Sequence, residues 1–424
     1  MAQVNYFISF LADRFYPLNE RYAQQFERRF GGTFRPIYIL SAKPNTQTKP
    51  RDYFIVNEHH RPGTVYLQDY EDQNQEFSSS RKMQQLLRRL VKKQGRVFVV
   101  PFTASHLTIH EPGVTVIAPR ADLATRFDQK IEHMKLFHQL KVKTPSFVVF
   151  KNANDLLKHA DHLPACYLSA SYTSGGAEAG IVKNKEEIDH FIQSLRPINQ
   201  KAQILATHFI SDVIQAPNVN AIVLGKDRVE VVAIADQHMH GNAYLGNIYP
   251  AKITKAQERM IVRDAKRVGI FLSHKGYRGL FGIDFLMDAK GRLYATDLNP
   301  RRQGGYFCNV MMSSKIDLID LEMRVALGEP IPNVRMKDFQ PGYAWAHSKL
   351  KPHGEERKIK KIVTQGKPED PFLHVGRTFS TVFYSPNDVI ASGSAGYYVT
   401  SAPDRATVER RVHEVPERLL KKIF

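Results

Sequence analysis

Apolar and polar positions change period several times along the first 120 residues. PIYIL (36–40), RVFVV (96–100) and VTVIA (114–118) are apolar runs of strand length. Between them, stretches around 19–30 and 81–94 repeat their apolar residues at helical spacing. This rhythm predicts a small sheet flanked by helices, interrupted by the polar, Pro-bearing loop SAKPNTQTKPRD. From 123 to 140, Phe127, Ile131, Met134, Phe137 and Leu140 share one helical face, and Thr144-Pro145 ends that helix. SFVVF (146–150) follows as a strand. PACYLSASYTSGGAEAGIV (164–182) is strand, Ser/Thr/Gly loop and strand. A helix over about 185–195 and strands at 203–210, 219–225 and 229–236 come next. HMHGNAYLGNIYP is expected to be a loop. Thr254, with Gln257 three positions on, has the spacing of a capping box and starts a long helix. The last ninety or so residues look β-rich and end in a basic helix.

The stretch GIDFLMDAKGRLYATDLNPRRQGG (282–305) reads as a hairpin. If its turn centres on Lys290-Gly291, Asp284 falls opposite Asp297, and Asn299 projects from the same face as Asp297. The other face carries Ile283, Phe285, Met287, Tyr294 and Leu298. Directly opposed like charges are destabilising. A divalent cation would offset them, and two carboxylates with an amide oxygen suit magnesium or manganese. The alternative is a solvated rim of turn and edge residues. The following Asn-Pro-Arg-Arg, with Arg301 and Arg302, suits a loop that closes on anionic oxygens.

The chain has 424 residues, enough for two to four lobes. Its two cysteines, Cys166 and Cys308, argue against a disulfide framework and fit a reducing, cytoplasmic setting. No signal-peptide pattern and no uninterrupted apolar span of membrane length is expected. The net charge of +18 is spread along the chain. Its densest basic stretch, RKMQQLLRRLVKKQGR (81–96), has leucines at helical spacing. It is expected to be a solvated helix face, and nucleic-acid binding is not favoured. His59-His60 and His238 with His240 lack the spacing of a zinc site, although the second pair lies near a possible acceptor entrance. Trp345 is expected in the core.

The run from Asp284 to Arg301 resembles the ATP-grasp superfamily. The signature is an acidic residue, about thirteen positions, a second acidic residue, any residue and Asn, often followed by Pro-Arg. Here these are Asp284, Asp297, Asn299, Pro300 and Arg301. GNIYP and GYRGLFGIDFL also look like members of that superfamily. The resemblance covers roughly 121–312 and implies an α/β architecture of α+β lobes. It comprises a pre-grasp α/β domain (1–120), a first grasp lobe with the phosphate loop (121–212), a second lobe with the metal site (213–330) and a small β-rich C-terminal domain (331–424).

By resemblance, Asp284, Asp297 and Asn299 would hold one or two magnesium ions, or manganese, between ATP phosphates. Arg301 would meet the γ-phosphate and the acyl phosphate. Lys130 matches the first nucleotide lysine. Ser171, Thr173, Ser174, Gly175 and Gly176 match the phosphate loop, and His208, Phe209 and Ile210 the adenine hinge. Three positions depart from the family. Leu168-Ser169 replaces a second lysine, Thr207-His208 stands where a hinge glutamate is usual, and Asn218 to Asn220 where a ribose-binding acid is expected. Gln303-Gly304-Gly305 lacks the glutamate base of biotin carboxylases.

The resemblance implies an ATP-dependent carboxylate–amine ligase working through an acyl phosphate. Its partners would be a small-molecule carboxylate and an amine. Arg302, as a second cation, points to amino-acid or peptide-like substrates. No membrane partner is expected, and a homodimer is compatible with the sequence. A nucleotide-binding regulatory protein derived from the same fold is the alternative.

Overall fold

The computed structural model describes residues 4–11, 16–40, 52–55, 67–171, 178–241, 243–312, 314–352, 357–390 and 394–424. Its N-terminal lobe is a parallel sheet of five strands, ordered Tyr53–Ile55, Thr33–Leu40, Val4–Ser9, Val97–Val100 and Val114–Val116. Parallel strands need crossover helices, and Tyr16–Phe30 and Arg81–Gln94 serve. The second of these is the basic stretch. It buries Met83, Leu86, Leu87 and Leu90 and turns its cations to solvent. Ser80 caps its start, and Gly95 ends it with a positive φ.

The segment 123–140 departs from the expected single helix. It forms two helices, Ala121–Phe127 and Lys130–Gln139, with Asp128 and Gln129 between them. Gln129 has extended backbone angles, which breaks the hydrogen-bond ladder. The apolar face survives because Phe127, Ile131, Met134 and Phe137 are all buried in one cluster. The break turns Asp128 and Lys130 toward the hairpin.

A four-stranded antiparallel sheet follows, in the order Phe147–Phe150, Ile204–His208, Cys166–Ala170 and Ala179–Val182. The largest sheet has nine strands among the described residues. Its centre is Gly279–Asp288, Pro217–Gly225, Arg228–His240 and Ala243–Tyr249, with Leu293–Asn299 paired to the first of these. Ala243–Tyr249 pairs in turn with Ala344–Leu350, so the C-terminal strands extend the same sheet.

The stretch 237–249 is therefore a hairpin rather than a loop. Its Gly and Asn content masks the strand pattern. Gly246 is needed there, since any Cβ would overlap the carbonyl of His347 on the neighbouring strand. The long helix Lys255–His274 carries the predicted capping box and packs across the sheet through Ile261, Ala265, Val268 and Leu272. Trp345 is buried and stacks on Tyr249 at 5.4 Å.

Candidate active site

Asp284 and Asp297 are cross-strand partners. The turn that sets this register is not the one assumed. Near the tip, Met287 pairs with Leu293 and Leu286 with Tyr294, one position off the expected register. A bulge between Asp284 and Phe285 on one side and Ala295 and Asp297 on the other restores it at the carboxylates. The bulge also moves Tyr294 off the core face, where its hydroxyl donates to Asp288 at 3.3 Å. Leu293 and Ala295 take the core positions instead.

The adjacent strand adds a third column. Asn218 pairs with Asp284, and Asn220 with Gly282. The same-face residues thus form two rows, Asn218–Asp284–Asp297 and Asn220–Gly282–Asn299. Gly282 leaves a gap that the Gln303 side chain fills; a Cβ there would overlap its amide. Gln303 Nε2 lies 3.4 Å from Asp284 Oδ1, and its Oε1 is buried without a partner.

The two carboxylates sit in different company. Lys130 Nζ donates to both oxygens of Asp297 at 3.0 Å. His133, one turn further along the helix, places Nε2 3.3 Å from Asp297 Oδ1. Burial alone would push the Asp297 carboxyl up, but Lys130, His133 and Arg301 outweigh it and hold it below the usual range. Asp284 has amides instead. Asn218 donates to Oδ1, and Asn299 Nδ2 to Oδ2 at 3.0 Å. Burial and the nearby Asp297 push its carboxyl up to about 6. Burial pushes His133 down to about 4, so it stays neutral near pH 7.

Arg301 lies at the edge of this plate. It donates to Asn299 Oδ1 at 2.6 Å, comes 3.7 Å from Asp128 Oδ2, and sits over the Phe102 ring at 5.7 Å. The N-terminal lobe reaches the same point. Tyr70 stacks on Phe102 at 4.7 Å, and Asn74 ties its helix to the carbonyls of Thr103 and Ser105. In that helix, burial and Asp128 push the Glu71 carboxyl up to about 7, with Arg301 acting the other way. Asp128 is raised too, chiefly by burial.

Arg302 does not face this plate. Its side chain is 2% exposed and paired with Glu322 at 2.8 Å. It also donates to Tyr22 Oη and Ile117 O at 2.9 Å and to Pro101 O. The guanidinium pins the N-terminal lobe to the helix Leu318–Leu327. The expectation that it offers a free cation to a substrate carboxylate is corrected by this burial. Arg301, just past the strand that ends at Asn299, shares the site with it, while Arg302 is turned inward.

Other expected residues are scattered or only partly placed. Thr173, Ser174, Gly175 and Gly176 lie outside the described residues, as do His59 and His60. Ser171 directs its hydroxyl and its N–H to Gln203 O. At the expected hinge, the His208 N–H is taken by Ser146 O at 2.8 Å. Ser169, in place of a lysine, is buried. His238 is buried against His413, with rings 4.5 Å apart, and is pushed down to about 4 by burial and its histidine neighbours.

The donor set fits a hard divalent cation. Asp284, Asp297 and Asn299 present oxygen chemistry, and the orphaned Oε1 of Gln303 adds another oxygen. Among the described residues no three His, Cys, Asp or Glu side chains cluster as a metal site. Two carboxylates and amides suit a cation that completes its shell with phosphate oxygens and water rather than a closed protein cage. No helix is long and apolar enough to cross a membrane among the described residues.

Residues 128–305 match the model of an ATP-grasp domain. The carbamoyl phosphate synthase large chain of Pasteurella multocida (strain Pm70) is 24% identical over 200 residues, which is 46% of this chain and 18% of that relative. The L-amino acid ligase from Bacillus licheniformis superposes with a TM-score of 0.66 at 14% identity, covering 98% of both chains. The biotin carboxylase domain dimer of Hydrogenobacter thermophilus 2-oxoglutarate carboxylase, in complex with MgADP, ADP and bicarbonate, gives 0.69 at 14% identity. It covers 96% of this chain and 88% of that one.

Proposed function

Because the chain carries an ATP-grasp domain over residues 128–305, we propose that it is an ATP-dependent ligase that joins a carboxylate to an amine through an acyl phosphate. The observation that carries this reading is the plate itself. Two opposed carboxylates, three amides and two cations from different segments converge on one face.

In this reading Asp284, Asp297 and Asn299 would hold magnesium. Magnesium-bound ATP supplies the transferable phosphoryl group and neutralises part of its charge. Lys130 keeps Asp297 ionised and therefore competent as a ligand. Arg301 is anchored by Asn299 and backed by Asp128, so its charge is preorganised at the plate's edge. The break at Asp128–Gln129 brings both Lys130 and Asp128 there. His133, neutral and buried, lies against Asp297 with Nε2 3.3 Å from Oδ1.

Amino-acid or peptide-like substrates remain the proposed class, supported by the ligase of similar fold rather than by Arg302. The cation for a substrate carboxylate is then Arg301 or Lys349. Lys349 Nζ lies 4.9 Å over the Tyr244 ring, and Tyr244 abuts Gly304. A second reading is a nucleotide-binding protein without ligation. The buried Ser169 at the usual lysine position favours it. Pairs of free amino acids with Mg-ATP test between them. A ligase releases ADP in step with a new C–N product, whereas a regulatory protein binds ATP with no pair-dependent release.

A further inference from the structure

Away from the plate, the C-terminal helix Arg405–Ile423 faces the strand Gly396–Ala402 and the segment after the short helix Asp370–Leu373. Between them is a cleft of about 680 Å³ lined by Arg377, Arg410, Arg411, Arg418, His374 and Tyr398, with Asp370 and Glu414 as its acids. Arg410, Glu414 and Arg418 recur every four residues and therefore share a helix face. Arg411 is held by one terminal nitrogen to Gly376 O at 3.1 Å, Ser401 O at 3.0 Å and Thr400 Oγ1 at 3.3 Å.

The acids do not balance these cations. Asp370 accepts from Lys367 N at 2.7 Å. Among the described residues, Glu414 forms no ion pair with Arg410 or Arg418, and neither of these nor Arg377 has an acidic partner. Tyr398 is buried behind them, with the Thr400 side chain beside its hydroxyl and Arg411 and Arg418 near enough to favour its ionised form. Four guanidiniums around one cleft repel one another unless an anion enters. Guanidinium forks match phosphate oxygens, and the volume lies in the range of small-ligand sites.

We infer that this cleft binds a small phosphate-bearing molecule with at least two negative charges, separately from the plate. Calorimetric titration of the full chain with inorganic pyrophosphate, without magnesium and at constant ionic strength, tests it. The wild type should bind, and Arg301→Ala should retain the binding that belongs to the cleft. Arg410→Gln/Arg418→Gln should bind about tenfold more weakly or worse, as expected for lost charge-assisted hydrogen bonds. Its melting temperature without pyrophosphate should not fall, because both side chains are exposed and their mutual repulsion is relieved. Arg377→Gln reads the same cleft from another element. The inference is overturned if wild type shows no binding at millimolar pyrophosphate. It is also overturned if Arg301→Ala abolishes binding while the double variant retains it. A third contrary result is short single-stranded RNA binding through these arginines when pyrophosphate does not.

Discussion

Lys130 holds both carboxylate oxygens of Asp297 at 3.0 Å, while Asp284, directly across the hairpin, is left to amides. One carboxylate is neutralised and the other bears the repulsion. Substitutions at the two positions should therefore have opposite signs. Asp284→Asn should stabilise the metal-free protein at pH 8. Asp297→Asn should destabilise it, by leaving the Lys130 charge buried without its partner. Thermal melts in chelator give the comparison.

The pH dependence follows from the same division. Asp284 titrates near 6 in the folded protein against an ordinary 3.8, so the folded state binds its proton more tightly. That penalty is absent below about pH 3.8 and complete above about 6. The gain from Asp284→Asn should grow across that window. Asp297 behaves oppositely: its contribution is present above the ordinary value and is lost as pH falls through its lowered one. A gain from Asp284→Asn that is as large at pH 3.5 as at pH 8 contradicts the assignment.

Glu71 offers a separate reading from the N-terminal lobe. Its carboxyl titrates near 7 against 4.5, chiefly through burial and Asp128. Stability should fall as pH rises from about 4.5 to 7 on its account. Glu71→Gln should match wild type at pH 4.5 and exceed it at pH 8 in denaturant titrations. Equal stability at both pH values would contradict the burial of Glu71 near the Asp128 charge.

The adjacent arginines should separate cleanly. Arg302→Ala breaks a buried pair with Glu322 and should cost about 3–5 kcal/mol of stability. Arg301→Ala leaves Asp128 without its cation and should cost less stability than Arg302→Ala, but it should lower kcat ~100-fold, the scale of losing one preorganised donor. If the two effects were exchanged, the inward placement of Arg302 would be wrong.

The hairpin was legible because strand alternation and the Asp284–Asp297 spacing are local. Its register was reached through a wrong turn, since a bulge near Thr296 made up the difference. Bulges leave no clear mark on a hydrophobic pattern. The helix break at Asp128–Gln129 was hidden because the apolar face stays in phase across it. Arg302 was misread because its partner, Glu322, comes from another helix, and charge alone does not tell which way a guanidinium turns. Asn218, Asn220 and His133 were missed as site residues. Their partners are set by sheet order and helix packing, although Asn218 and Asn220 drew notice as departures.

The most direct test uses oxygen transfer. Incubate the protein with Mg-ATP and a mixture of amino acids carrying ¹⁸O in their carboxylates, then analyse the released phosphate by mass spectrometry. An acyl phosphate intermediate passes one carboxylate oxygen to phosphate when the amine displaces it. The account predicts one ¹⁸O per phosphate released, with release lost in Arg301→Ala. Phosphate released at the same rate without amino acids, or carrying no label, would contradict it.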